Sequence, residues 1–317
     1  MTARPEQPAL APSEPHAPPA TAAGGETRER AASRLLEASR RHTLDPDREV
    51  DWDAPWEQDG WFLPAPLVSL YGTPLWEDMT PEQRVELSRH EAGCHAWTLL
   101  RGESMLIQLL AQHVAHSDDP ASLHVRYALT EMEDECRHSR MFARLIGKLG
   151  TSVYPRGWLD RYRTALWGVS IGPIRVFTAA LIIEEVLDRF QRETMTEDSV
   201  QPVVRAVSRV HVIEEARHVS YARAELRRQM ATCSPLKRYA TQIVCAGGAM
   251  LVARRLVPRE VYAEVGLDPR EAARQARASV HRRTTLVWSA QRLTDFFHEI
   301  GVIGPWGRWG WRRARFL

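Results

Sequence analysis

The sequence predicts an all-α protein, a helical bundle occupying most of a 317-residue chain. Three observations carry this: long segments repeat apolar residues at helical spacing, their starts carry capping signals, and no convincing pair of strands is present. Composition agrees. With 44% hydrophobic and 26% charged residues the chain can bury a substantial core, which excludes whole-chain disorder, a collagen-like chain and a multispan membrane protein. Lys+Arg 42 against Asp+Glu 40 leaves a formal charge of +2, so no global field grips nucleic acid and function must sit in a local site.

Residues 1–28 are rich in Pro, Ala, Glu and Thr, with Leu10 the only large aliphatic after Met1, and are expected to form a disordered tail. They lack the basic stretch and apolar run of a signal peptide. Residues 29–80 are expected to form an irregular N-terminal arm. Its Trp52, Trp56, Trp61, Phe62, Tyr71 and Trp76 lie among prolines and acids without helical or alternating period, and packing over the body explains them.

The helical domain, residues 81–303, opens on Thr80-Pro81-Glu82-Gln83: an N-cap Thr, Pro at the first helical position and Gln three residues after the cap. This first helix should run to about His116. Asp119-Pro120 should start a second, ending near Gly147 to Gly150, and a Pro/Gly/Trp-rich connection should lead to a third from Gly172-Pro173 to about Met195. A fourth spans roughly Ser199 to Thr232, and Ser234-Pro235 starts a fifth that ends before Pro258. A short helix from Arg259 and a long one from Asp268-Pro269 to Glu299 complete the domain. Residues 304–317 form a Trp/Arg-rich tail with no acid side chain, expected to pack on the body or to be disordered, with contact to a redox partner or an anionic surface as the alternative.

The longest uncharged stretch, Tyr239 to Ala253, falls short of the roughly 20 apolar residues that span a bilayer, so no membrane segment is expected. Cys94, Cys136, Cys233 and Cys245 show no C-x-x-C pair and read as free thiols in a reducing cytoplasm.

Two segments carry chemistry: Asp134-Glu135-Cys136-Arg137-His138 in the second helix and Glu214-Glu215-Ala216-Arg217-His218 in the fourth. Each is an acid followed by Glu-x-x-His, at i and i+3 on one helical face. A lone Glu-x-x-His arises about once by chance in this composition and is usually a solvated pair, whereas the form preceded by an acid is expected roughly 0.1 times. Two copies are present. In a ferritin-like four-helix bundle, two such helices plus one Glu from each of two others build a dinuclear carboxylate site.

The other two helices supply those carboxylates. Glu103 lies among Ala96, Leu99, Leu100, Leu106, Ile107 and Leu110, where an unpaired charge costs on the order of several kcal/mol and a cation is the natural partner. Glu184 shares its face with Phe177, Ala180, Leu181 and Leu187, while Glu185 is expected to pair with Arg189 at i,i+4 on a wetter side. His211, four residues before Glu215 and seven before His218, stacks on the same side. The candidate metal ligands are therefore Glu103, Glu135, His138, Glu184, His211, Glu215 and His218. Their four carboxylates balance two divalent irons, and mixed Glu and His ligation suits iron or manganese better than a Cys-rich zinc site does. Asp134 and Glu214 are placed to accept from imidazole N–H groups. The remaining histidines, including His90, His95, His113, His116 and His124, read as surface or satisfied polar residues.

These residues resemble the p-aminobenzoate N-oxygenase (AurF-like) di-iron oxygenases, a family that includes the arylamine oxygenase of chloramphenicol biosynthesis. The resemblance spans roughly residues 80 to 235. It rests on Glu103 in Gly102-Glu103-Ser104-Met105-Leu106, on Glu135 and His138 in D-E-x-x-H, on Glu184 ahead of the Pro202 helix, and on His211, Glu215 and His218 in H-x-x-x-E-x-x-H, whose first His marks the family. It implies a di-iron centre that activates the co-substrate O2 through a bridging peroxo species and oxygenates a small amine, above all an aminoarene, toward hydroxylamine, nitroso or nitro products. It also implies an external electron donor, a redox partner and a homodimer. Little matches where the best-known members contact substrate, so the substrate residues stay unknown; His95, Ile107 and Arg282 are candidates to line a pocket. Two alternatives stay open: a di-iron C–H hydroxylase or desaturase, since fold does not fix function, and a ferritin-like iron storage or detoxification protein. Against storage stand His211, the long arm and the C-terminal helices.

Overall fold

Thr27 caps helix α1 (Arg28–Arg41) by accepting from the backbone N–H of Arg30, a helix where the sequence suggests irregular chain. The computed structural model describes residues 27–152, 154 and 173–317, so residues 1–26 of the expected disordered tail and most of the connection before the third bundle helix lie outside the described residues, while Thr27 and Arg28 belong to α1 rather than to the tail. α1 forms because Ala31, Ala32, Leu35 and Ser39 recur at helical spacing and bury one face, a pattern hidden among many Arg and Glu. The rest of the arm holds short turns only, α2 (Pro46–Glu49), a 3₁₀ turn at Ala65–Leu67 and α3 (Pro74–Asp78). Its Trp52, Phe62, Leu63, Leu70 and Trp76 are buried in the main core. Backbone bonds of 2.8 Å from Trp61 N–H to Ser199 and from Gln201 N–H to Trp61 pin it to the body.

The bundle consists of α4 (Pro81–Ala115), α5 (Leu123–Leu149), α6 (Pro173–Thr196) and α7 (Pro202–Ala231). α4 opens on a complete capping box: Thr80 Oγ1 accepts from Gln83 N–H at 3.2 Å and Gln83 Oε1 accepts from Thr80 N–H at 3.0 Å. α5 starts later than Asp119-Pro120 suggests, because Ser122 is the residue whose side chain caps it. α7 starts at Pro202 because Ser199 and Gln201 are engaged with Trp61. α4 packs along α5 and α6 along α7, while α4 also meets α6 and α5 meets α7. The four helices thereby close around a shared interior.

α8 (Pro235–Leu256), α9 (Val261–Glu264), α10 (Pro269–Ala278), α11 (Val280–Glu299) and α12 (Arg308–Ala314) buttress the bundle. The single long helix expected from Asp268 to Glu299 is broken at Ser279, whose extended backbone and side chain cap α11 by accepting from Arg282 N–H. The C-terminal tail is ordered and packed: Trp311 and Phe316 are fully buried, and α12 lies on α8. The segment Pro235–Glu264 has the length and mean hydropathy, 1.2, of a bilayer-crossing helix, yet Cys245, Ala246, Ala249 and Leu256 are buried within this protein. All four cysteines are free. Among the described residues there is no strand beyond the isolated Trp61–Val200 bridge.

Candidate metal centre

All seven candidate ligands meet in the bundle interior, and each is buried: Glu103 from α4, Glu135 and His138 from α5, Glu184 from α6, and His211, Glu215 and His218 from α7. Glu103, His138, His211 and Glu215 place ligand atoms within 4.8 Å of one another, as do Glu135, His138, Glu215 and His218. The two groups overlap at His138 and Glu215: the Glu215 carboxylate could bridge two adjacent cations, whereas the single inward lone pair of His138 Nδ1 could serve only one. Glu184 completes the first group, its Oε2 3.8 Å from His211 Nε2.

The imidazoles are all oriented alike. Each turns one nitrogen inward and gives the other to an acceptor behind it. His211 Nε2 lies 3.1 Å from Glu103 while its Nδ1–H donates to Gln191 at 2.8 Å. His138 Nδ1 lies 3.4 Å from both Glu135 and Glu215, and its Nε2–H donates to Glu214 at 2.8 Å. His218 Nδ1 lies 2.9 Å from both Glu135 and Glu215, and its Nε2–H donates to Asp134 at 3.2 Å. An outward acceptor of this kind fixes the tautomer that leaves the inner lone pair for a metal.

Asp134 and Glu214 therefore do accept from imidazoles, but crosswise: each serves the histidine of the opposite helix. They are neutralised by two arginines one residue before each histidine. Arg137 reaches Asp134 at 2.6 Å and Glu214 at 3.3 Å, and Arg217 reaches the same two at 3.1 and 3.5 Å. The arm closes this end, because Leu44 N–H donates to Glu214 at 2.8 Å and Arg217 donates to the His42 carbonyl at 3.0 Å.

The donor set fits a dinuclear cation site. Both oxygens of Glu135 and of Glu184, one each of Glu103 and Glu215, and His138 Nδ1 are buried without a hydrogen-bond partner. Groups so placed need a partner that accepts their lone pairs. Burial pushes the Glu103 and Glu184 carboxyls well above the usual range, and burial lowers His211 to about 4. Burial also opposes charge on Glu135 and Glu215, but the adjacent His218 outweighs it, holding Glu135 well below the ordinary range and Glu215 at about 2. Against the same burial, the surrounding carboxylates raise His138 and His218.

Gly102 makes room for this set. A Cβ there would stand 2.8 Å from Glu184 Oε1 and 3.0 Å from Ile183 Cγ2, so α6 approaches α4 through the missing side chain. Glu185 differs from expectation: it is buried and paired with Arg223 of α7, because its face of α6 packs inward, while Arg189 stacks on Trp288. Arg137 and Arg217 were legible as an extension of the repeat to acid-Glu-x-Arg-His. Gln191 and the Leu44 backbone carry no sequence signal, since only the fold brings them here.

A cavity of about 90 Å³ lies between α4, α6 and α8, walled by Trp97, Thr98, Arg101, Ile183, Leu251 and Arg255; none of the seven candidate ligands lines it, and Ile183 is the residue before Glu184. His95, Ile107 and Arg282 do not line it. His95 is buried with its ring edge-on to Phe190 and Nε2 unpartnered, so it is neither a surface nor a satisfied histidine, and Arg282 donates to the Leu67 carbonyl.

The sequence model described as P-aminobenzoate N-oxygenase AurF matches residues 25–301. The chain belongs to this family. AurF proteins are di-iron oxygenases, in keeping with an all-α ferritin-like fold and buried Glu and His groups able to hold metal. Among curated relatives of this AurF-family chain are uncharacterized proteins of Mycobacterium bovis and Mycobacterium tuberculosis. Each is 27% identical over 295 residues, spanning 89% of this chain and 85% of the relative.

Proposed function

We propose that the protein is a cytoplasmic di-iron N-oxygenase that converts a small amine, above all an aminoarene, to its hydroxylamine and onward to nitroso or nitro products. In the first step amine, O2, two electrons from an external reductant and two protons give hydroxylamine and water. The observation that supports this most is His211, a third imidazole delivering Nε2 to the Glu103, Glu184 and Glu215 carboxylates. Iron held by the seven ligands supplies the redox chemistry that activates O2.

The chain's own residues do the rest. Gln191, Glu214 and Asp134 hold the three imidazoles in the ligating tautomer, and the surrounding apolar core keeps bulk water out. The cavity reaches Ile183, the residue before Glu184, which supports it as the amine's binding space. Arg101 and Arg255 put positive charge at its wall, which suits a substrate that also carries an anionic group.

Anaerobic loading with Fe(II), exposure to O2 and mass analysis of products from a panel of amines test this function. Products bearing a new N–O bond are expected. Oxidation confined to C–H bonds would replace it with a hydroxylase. Iron uptake unchanged in His211→Ala, together with unchanged oxygen reactivity, would remove His211 from the ligands.

A further inference from the structure

The Trp/Arg-rich tail takes no part in the metal centre, yet its packing is specific. Gly304, Gly307 and Gly310 recur at every third residue. A Cβ at Gly307 would stand 2.2 Å from the Gln242 carbonyl oxygen and one at Gly310 2.7 Å from Ala246 Cβ, so the tail lies with its backbone against α8. Trp311 enters the core, whereas Trp306 and Trp309, each one residue before a glycine of that contact, are 60% and 57% exposed. α8 adds a stripe beside them. Leu236, Tyr239 and Ile243, at i, i+3 and i+7, are 77%, 42% and 38% exposed, and the Tyr239 ring meets that of Trp306 edge-on at 5.4 Å. Five of the eight large hydrophobics exposed among the described residues gather here, so this face is a patch and not the scatter of an ordinary surface.

Charge says what covers it. α8 and residues 304–317 together carry eight Lys and Arg and no Asp or Glu, leaving 34 Lys and Arg against 40 Asp and Glu, a formal −6, for the rest of the chain. Lys237, Arg308, Arg312 and Arg313 are exposed on these two elements, and Glu299, at the end of α11 that leads into the tail, is paired with Arg227 at 2.9 Å. A second copy suits this face poorly, because two-fold pairing sets it against itself, cation against cation. The occupant is anionic. Its form follows from the relief, since the apolar side chains project from convex helix surfaces and a fluid bilayer admits them without a matching groove. Trp and Tyr beside Lys and Arg is also the composition of segments that lie in a membrane interface. Pro235–Glu264 has the hydropathy of lipid-contacting chain, and only 44% of its most apolar 18-residue stretch is buried within the protein.

We propose that α8 and the C-terminal tail dock the protein on a bilayer surface bearing anionic headgroups. Trp306, Trp309, Tyr239 and Leu236 enter the interface, and the basic side chains beside them meet the phosphates. The protein lies on the bilayer and does not span it, because the opposite face of α8, with Cys245, Ala246 and Ala249, is buried against the rest of the protein. Cations alone are screened by salt, and apolar side chains alone do not distinguish one lipid charge from another. Together they make binding both salt-sensitive and selective for anionic lipid. The docking face shares no residue with the metal centre, so it stands or falls apart from the oxygenase function.

The full chain, a Trp306→Ser/Trp309→Ser variant and an Arg308→Ala/Arg312→Ala/Arg313→Ala variant are sedimented with vesicles of phosphatidylcholine alone and with vesicles containing about one third phosphatidylglycerol. Wild type is expected to pellet with the anionic vesicles, to bind them more weakly as salt rises from about 0.1 to about 0.5 M, and to show tryptophan quenching by brominated acyl chains. The Trp variant should lose that quenching and bind about tenfold or more weaker, and the Arg variant should bind about fivefold weaker for each Arg removed. All five substituted residues are exposed, so both variants should keep the wild-type circular dichroism and thermal midpoint. No binding of wild type to anionic vesicles, equal binding to phosphatidylcholine alone, or binding that both variants retain in full overturns the proposal. So does a wild-type dimer that the Trp variant makes monomeric while vesicles are ignored, or capture of an acidic ferredoxin through these residues without vesicle binding.

Discussion

His138 on α5 gives its outer N–H to Glu214 on α7 at 2.8 Å, and His218 on α7 answers by giving its own to Asp134 on α5 at 3.2 Å. The acid beside each ligand Glu therefore orients the histidine of the facing helix, which ties ligand geometry to the packing of α5 on α7. Glu214→Ala and Asp134→Ala are each expected to lower Fe(II) affinity about 10- to 100-fold. Iron titration, with helix content followed by circular dichroism, checks this; unchanged affinity in both variants would contradict the crosswise role.

Gly102→Ala separates metal binding from folding. Alanine favours a helix interior by about 1 kcal/mol over glycine, so the substitution is not intrinsically harmful to α4. Its Cβ would nevertheless meet Glu184 Oε1 at 2.8 Å. The expected outcome is retained helix content with weakened iron binding, read by circular dichroism and titration.

Metal affinity should rise steeply with pH. Glu103, Glu184, His138 and His218 have raised folded-state pKa values, so the stability they lend the metal-free protein is complete below their unfolded values and is lost as pH rises through the folded ones. Glu135 and Glu215 are depressed and act oppositely, their contribution being lost as pH falls through the folded values. Cations need all these groups deprotonated. The thermal midpoint of loaded over metal-free protein should therefore widen from about pH 6 to about pH 8, with proton release on loading.

The C-terminal helix stabilises the fold without touching the centre. Trp311 is fully buried between Phe297 and Phe316, so Trp311→Ala should cost about 3–5 kcal/mol in urea unfolding. Iron stoichiometry of the folded fraction should not change.

Much of this was legible in sequence because periodicity and capping are local. The Thr80 capping box and the duplicated acid-Glu-x-x-His turns announce helix starts and a shared face before any packing is known. α1 was missed because its buried face is mostly small, Ala31, Ala32 and Ser39 among charges, which reads as polar chain. Ser279 was missed because a capping serine inside a helical pattern differs from an ordinary helical one only through its backbone angles. Glu185 was assigned to Arg189 on i,i+4 spacing alone, whereas Arg223 reaches it from α7, a neighbour that only the tertiary fold supplies. Gln191 and Leu44 were invisible for the same reason.

The central claim is that seven side chains hold two irons, and anaerobic Fe(II) titration of wild type and Glu184→Ala tests it most directly. Saturation at two irons per chain in wild type, and fewer in the variant, is the expected result. Saturation at one iron or none in wild type would contradict it.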